Sequence, residues 1–297
     1  MIEKFLNYLR FERNRSLLTV QRYERSLREF ENFFKQQDEE ITWESVDADV
    51  IRAWMEALVD KDMKATTVNA DLAAIKSFYR FALSRKFVVK DPAILVKGPK
   101  KQKPLPQFMK ESEMNRLLDE EEWGDNYINV RARTIILLFY ETGMRRSELT
   151  GLNDNDVDFI AHQLKVTGKR NKQRIIPFGE ELEQELKHFI EVRDNDVLKN
   201  STALFLNTDG SRMTGQQVYT IVRGSLSKVT SMKKRSPHVL RHTFATALLS
   251  HDAGLESVRR LLGHESIETT EVYTHTTFEQ LKRVYKDAHP RGDNKPL

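Results

Sequence analysis

Between Ser236 and Tyr273 the chain reads SPHVLRHTFATALLSHDAGLESVRRLLGHESIETTEVY, and the punctuation of this stretch constrains the fold more than any other. Ser236 followed by Pro237 marks a helix start, with the hydroxyl residue as N-cap and proline at the first helical position. Leu240, Phe244, Ala247 and Leu248 recur at helical spacing and predict a core-facing stripe. His238 and Arg241 stand three apart, on one face of that helix. Gly254 is placed to end it in the left-handed conformation, and Gly263 to end a second helix over Leu255 to Leu262. His264 then comes at the mouth of a turn. Ser266 can cap a third short helix, with Glu268 near its positive end, and Tyr273 falls about two turns into it.

A histidine near a helix start is ordinarily a surface or capping residue, and a tyrosine on a short amphipathic helix is ordinarily core. H-x-x-R, then LGH, then a tyrosine nine residues after that histidine is a far rarer combination. On these residues the stretch resembles the tyrosine recombinase (phage integrase) family. It is most similar to the signature HxLRHTFAT…LLGH…TT…YTH of the Xer-type members.

A chain of 297 residues is long enough for two domains, each with its own core. It has no cysteine, which excludes disulfides, thiolate metal sites and a cysteine nucleophile, and fits a reducing cytoplasm. There is no run of 18 apolar residues, and the amphipathic, charged start MIEKFLNYLRFER is unlike a signal peptide. A soluble, cytoplasmic protein without membrane partners is expected. The net charge of +4 says little by itself, but its distribution is uneven. KGPKKQKPLP, residues 97 to 106, holds four lysines and no acid, whereas acids gather at Asp38 to Glu40 and Asp154 to Asp158.

Residues 1–90 read as a helical domain. Ile2, Phe5, Leu6 and Leu9 form a first stripe, and Thr19 is expected to cap a long helix with Val20, Tyr23, Leu27, Phe30 and Phe34 inward. Asp47 or Asp49 opens a third helix, and a fourth runs from about Thr66 to Arg85 on Val68, Leu72, Ile75, Tyr79 and Ala82. Its opposite face offers Thr67, Asn69, Lys76, Arg80 and Arg85. Asp91-Pro92 ends the helical pattern, and Pro99, Pro104 and Pro106 make residues 91–107 a stiff basic linker.

The second domain is expected over 108–297. Helices are predicted at Glu111 to Asp119 and at Arg131 to Glu141, the latter apolar enough to be buried and ending at Gly143. ETGMRRSEL follows, with Arg145 just past the glycine and Glu148 three residues on. Leu164 and Val166, a turn over Gly168 to Lys172, and Ile175-Ile176 predict a hairpin. A helix over Glu180 to Val192, a strand over Thr202 to Leu206 and a helix capped by Thr214 complete the approach to Ser236. After Tyr273 a last helix, about 277–288, presents Phe278, Leu281, Val284 and Tyr285 on one face. The fold class read from this pattern is mainly α in two domains, the second with a small β-sheet.

The resemblance extends over nearly the whole chain and implies more than the residues alone. It implies a SAM-like core-binding domain, a catalytic domain, and a clamp of both around double-stranded DNA with the linker crossing between them. Thr67, Asn69, Lys76, Arg80, Lys100, Lys101 and Lys103 are then candidate DNA contacts. ETGMRRSEL is similar to TGLRxSEL, which matches Arg145 to the first catalytic arginine with Glu148 in support. GKRNKQR is similar to GKGxKxR, which matches Lys169 to the catalytic lysine, although Arg170 stands where the second glycine is usual. His238, Arg241, His264 and the nucleophile Tyr273 complete the implied catalytic set. The implied reaction cuts and rejoins DNA through a 3′-phosphotyrosyl link, with no cofactor and no metal. The implied assembly is a homo- or heterotetramer on DNA, linked by exchange of the 277–288 helix between protomers. A chromosome or plasmid dimer resolution role is expected. The alternatives are an integrase or invertase of a mobile element, a topoisomerase-like enzyme, and a DNA-binding module without catalysis.

Overall fold

A computed structural model of the chain describes residues 1–100, 107–168, 171–263 and 275–292, and for 275–281 only the backbone. It divides into two compact units, Met1–Pro104 and Leu105–Leu297.

The first unit is built on four helices: α1 (Ile2–Asn7, continued by a wider turn over Tyr8–Glu12), α2 (Leu17–Gln37), α3 (Ala48–Asp60) and α4 (Ala65–Ser84). Their apolar stripes meet in one core, with Phe5, Leu27, Phe30, Phe34, Val68, Ile75 and Tyr79 all buried. The start of α2 corrects the sequence expectation. Ser16, not Thr19, is the N-cap, and its hydroxyl meets that of Thr19 at 2.9 Å. Leu17 and Leu18 are exposed, so the first turn carries no inward pattern to reveal it. Asp47 caps α3, accepting from the N–H groups of Asp49 and Val50. The head of the expected linker is folded onto this unit, since Ala93 and Val96 are buried in its core.

The second unit is organised around α6 (Tyr127–Thr142), which is buried along almost its whole length. It is preceded by α5 (Glu111–Asn115), which a wider turn continues to Glu120, and followed by α7 (Arg146–Gly151). A three-stranded antiparallel sheet follows, β1 (Val157–Asp158), β2 (Gln163–Thr167) and β3 (Gln173–Pro177). Lys165 pairs with Ile175 and Val166 with Arg174. The helices α8 (Glu180–Asp196), α9 (Gly215–Val229), α10 (Pro237–Ser250), α11 (Leu255–Leu262) and α12 (His275–Ala288) complete it. The strand expected over Thr202 to Leu206 is replaced by buried irregular chain with two isolated bridges, Asn153 to Ala203 and Leu206 to Arg212.

Glycine usage at the helix ends is split. Gly143 ends α6 at φ 56°, and a Cβ there would fall 2.3 Å from the Phe244 ring of α10. Both conformation and packing therefore demand glycine. Gly254 does not end α10, contrary to expectation. Asp252 takes the left-handed conformation (φ 62°), which a short polar side chain tolerates, and Gly254 becomes the N-cap of α11.

The end of the last helix packs on its own domain. Tyr285, assigned from the sequence to a neighbouring protomer, is buried in its own domain and donates to Glu141 Oε2 at 2.7 Å. Beyond it His289 sits 3.1 Å from the Tyr140 carbonyl, and Arg291 pairs with Asp119 and Glu181. Burial pushes the Glu141 carboxyl up to about 8 and the His289 imidazole down to about 3. The two act in opposite directions. Glu141 holds its proton more tightly folded than unfolded, so its contribution is lost as pH rises from 4.5 to about 8. His289 holds its proton less tightly folded, so its contribution is lost as pH falls from 6.5 to about 3. The domain is expected to be most stable between the two ordinary values and to lose up to about 2 kcal/mol on the alkaline side. Glu141→Gln should flatten that alkaline limb in melts run across pH, and an undiminished limb would remove Glu141 as its source.

Candidate active site

Two arginines, Arg145 and Arg174, converge on one carboxylate, with Arg241 beside them. Glu148, in the first turn of α7, is fully buried and accepts the Arg145 backbone N–H at 2.7 Å and Arg145 Nη1 at 2.8 Å. Arg174 of β3 donates to both of its oxygens, through Nη1 to Oε1 and through Nη2 to Oε2 at 2.9 Å. Desolvation works against the Glu148 charge, but the Arg174 and Arg145 bonds win and hold the carboxyl below its ordinary range. Arg145 and Glu148 are thus no weak surface pair. Breaking the Arg174–Glu148 pair, buried on both sides, from one side costs about 3–5 kcal/mol.

The arginines are aimed by backbone carbonyls at two glycine turns. Arg241, buried on α10, donates to Gly143 O and to Leu262 O, each at 2.7 Å. Arg145 Nη2 donates to Gly263 O at 2.9 Å, and Arg174 Nε to Leu261 O at 3.2 Å. The last carbonyls of α11, left without helical partners, are therefore capped by three guanidinium groups at the negative end of its dipole. Gly263 makes this possible. It turns left-handed at φ 62°, and a Cβ there would stand 3.0 Å from Arg174 Cδ. Burial, then the charges of Arg145 and Arg174, lower Arg241 to about 10, so it remains a cation at neutral pH. Three cations against one carboxylate leave two positive charges unbalanced.

His238 lies one turn from Arg241 on α10 and is exposed. Partial burial, then Arg241, His242, Lys234 and Arg146, push its imidazole below the ordinary range, favouring the neutral, proton-accepting form. Of the expected catalytic set the structure brings together Arg145, Glu148, Arg241 and His238. Lys169, His264 and Tyr273 lie outside the described residues. Gly168, just before Lys169, backs onto the cluster, since a Cβ there would come within 3.3 Å of Glu148 Oε1.

Sequence reasoning missed Arg174. A signal existed: it falls two residues from Ile176 on the strand, in phase with the inward Leu164 and Val166, where a charge needs a buried partner.

The candidate DNA contacts of the first unit are used unequally. Asn69 Nδ2 donates to Ala65 O and to Pro99 O at 2.8 Å, and Gly98 is needed for that approach, since a Cβ would lie 2.3 Å from Asn69 Oδ1. Lys76 reaches Ile94 O at 3.4 Å. Thr67 is half-buried, whereas Arg80 and Lys100 are exposed. Arg85 pairs with Glu12. Lys101 and Lys103 lie outside the described residues.

Residues 107–280 match the phage integrase family, and residues 2–86 match the phage integrase N-terminal SAM-like domain. The chain belongs to the phage integrase family. Among curated relatives, Tyrosine recombinase XerD of Oceanobacillus iheyensis is 35% identical over 294 residues, 98% of each chain. Tyrosine recombinase XerC of Halalkalibacterium halodurans is 37% identical over 297 residues, 98% of this chain and 97% of that one. Among solved structures, XerH in a post-cleavage complex with palindromic difH substrate superposes with a TM-score of 0.70 at 22% identity, covering 95% of this chain and 83% of that one. This phage integrase family member is a Xer-type tyrosine recombinase, an enzyme that breaks and rejoins DNA. Among the described residues no helix is long and apolar enough to cross a membrane.

Proposed function

We propose that Tyr273 attacks a DNA phosphodiester held by Arg145 and Arg241. The product is a 3′-phosphotyrosyl link, and a free 5′ hydroxyl leaves. The observation that carries this reading is the arginine cluster with its excess of two positive charges, built from elements far apart in sequence. A guanidinium offers five donors in a rigid fork, so each arginine engaged on protein carbonyls still has donors for non-bridging oxygens. Charge accumulates on those oxygens as phosphorus becomes five-coordinate, and donors fixed in advance stabilise it without reorganisation.

The phenol must lose its proton as it attacks. His238, its basicity already reduced and its neutral form favoured, suits that acceptor role and returns the proton on religation. Lys169 is assigned the proton donated to the departing 5′ oxygen, and His264 a further hydrogen bond to the phosphate. The phosphotyrosyl ester keeps the energy of the broken bond. Attack by a 5′ hydroxyl of a second duplex then exchanges strands, with ATP, cofactor and metal all unnecessary.

The substrate is a double-stranded DNA site, and the working assembly is a homo- or heterotetramer holding two duplexes. With Tyr285, His289 and Arg291 engaged in their own domain, contacts between protomers through the last helix fall to the part before them, which carries Phe278 and Leu281. Chromosome or plasmid dimer resolution is the role we favour. Sequencing the DNA trapped covalently on the protein in its own cell tests both points. One recurrent chromosomal or plasmid site is expected. Recovery of mobile-element ends would make it an element's integrase, and recovery of no attached DNA would sink the mechanism.

Lys100, Lys101 and Lys103 are assigned to backbone phosphates. Changing all three to Gln is expected to weaken binding to every sequence alike. The logarithmic salt slope should shrink by about 0.9 for each phosphate no longer neutralised. An unchanged slope would return this segment to the role of a solvated spacer.

A further inference from the structure

Outside the expected catalytic set, Arg174 is the charged residue most completely built into the site. Its place on β3 faces the core, and burying a guanidinium there is unfavourable unless its donors are used. Three of them are. Nη1 and Nη2 take the two oxygens of Glu148, and Nε takes the Leu261 carbonyl. The same Glu148 holds Arg145, and the α11 end held through Leu261 continues into Gly263, whose carbonyl holds Arg145 a second time. Gly263 also lacks the side chain that would occupy the space of Arg174 Cδ and Nε. Arg174 thus ties three elements together: the β2–β3 hairpin whose turn contains Lys169, the turn carrying Arg145, and the end of α11. At 7% exposure it is itself shielded from a bound duplex.

We propose that Arg174 is a positioning residue for strand cleavage, setting Arg145 and the end of α11 against the β2–β3 hairpin through Glu148 and the Leu261 carbonyl, without touching DNA. The proposal rests on the reading that Arg145 acts on the scissile phosphate. Neutralising Glu148 would need only a positive charge, for which lysine would serve. Grasping both of its oxygens while reaching a third acceptor needs the planar fork.

The test uses the full chain and a nicked duplex carrying the site recovered by covalent trapping. Site affinity and the first-order rate of adduct formation are measured separately, from about pH 5 to about pH 8. Arg174→Gln is expected to slow adduct formation by about tenfold to a hundredfold while leaving the Kd within about twofold, as for a small misplacement of a reacting group. It should also create an acid limb. Without Arg174, Glu148 takes up a proton at higher pH, and the protonated form releases Arg145. Arg174→Gln combined with Glu148→Gln should lack that limb, because nothing is left there to titrate. Arg174→Lys should restore the rate only in part. Cleavage by Arg174→Gln at the wild-type rate, a slowing equal at every pH with a lowered Tm, or full rescue by lysine would each overturn the proposal. A wild-type chain that forms no adduct would instead overturn the reading of Arg145 on which it rests.

Discussion

Tyr273→Phe is expected to abolish covalent capture of a nicked duplex while leaving site affinity close to that of the wild type. Only the hydroxyl is lost, and the ring is retained. The effect should be all-or-none because the hydroxyl is the attacking group. A free phenol is ionised only about once in a thousand at neutral pH, so a tyrosine without the surrounding cations and proton acceptor is inert. The two nearest alternatives in the domain are poorly suited. Tyr285 is buried, its hydroxyl is spent on Glu141, and burial pushes it still further from ionisation. Tyr219 is half-buried on α9, outside the stretch that carries His238 and Arg241. Persistence of the adduct in Tyr273→Phe, with the attachment mapped by peptide sequencing, would reassign the nucleophile.

Arg241→Ala and Arg145→Ala should each slow adduct formation by about a hundredfold or more, the effect of removing one fixed donor from a developing oxyanion. Affinity for the site should change little, because one phosphate contact among many is a small share of binding. Arg241 is the more informative of the two. Its Nη1 and Nη2 bridge Gly143 O and Leu262 O, and so join the end of α6 to the end of α11. Lysine keeps the charge but cannot span both carbonyls and still face a phosphate, so Arg241→Lys should recover little of the rate. A variant that cleaves normally but binds poorly would make that arginine a DNA-positioning residue instead.

Several of these features could be read directly from the residues, and for local reasons. Helical stripes such as Val68, Leu72, Ile75 and Tyr79 depend only on a repeat of 3.6, and all four proved buried. The Ser236-Pro237 start and the Gly143 and Gly263 turns depend on backbone chemistry that a few residues specify. Arg145, Glu148, His238 and Arg241 were singled out because the segments that hold them, beside such a turn or helix start, resemble the family's motifs.

What the sequence by itself determined was therefore the helices with their apolar stripes, the β2–β3 hairpin, the Gly143 and Gly263 turns, and the chemical types gathered near Ser236 to Tyr273. Tertiary structure decided which groups share an acceptor. Glu148 and Arg174 are 26 positions apart, and Arg145 and Gly263 are 118 apart, separations at which no periodicity carries information. The fate of the last helix was likewise decided in three dimensions. Its amphipathic pattern required only that Tyr285 be covered, and the buried, largely protonated carboxyl of Glu141, 144 positions earlier, selected its own domain as the cover. Local propensity depends on neighbours along the chain, whereas the burial of a charge is favourable only where distant elements bring its partners within reach.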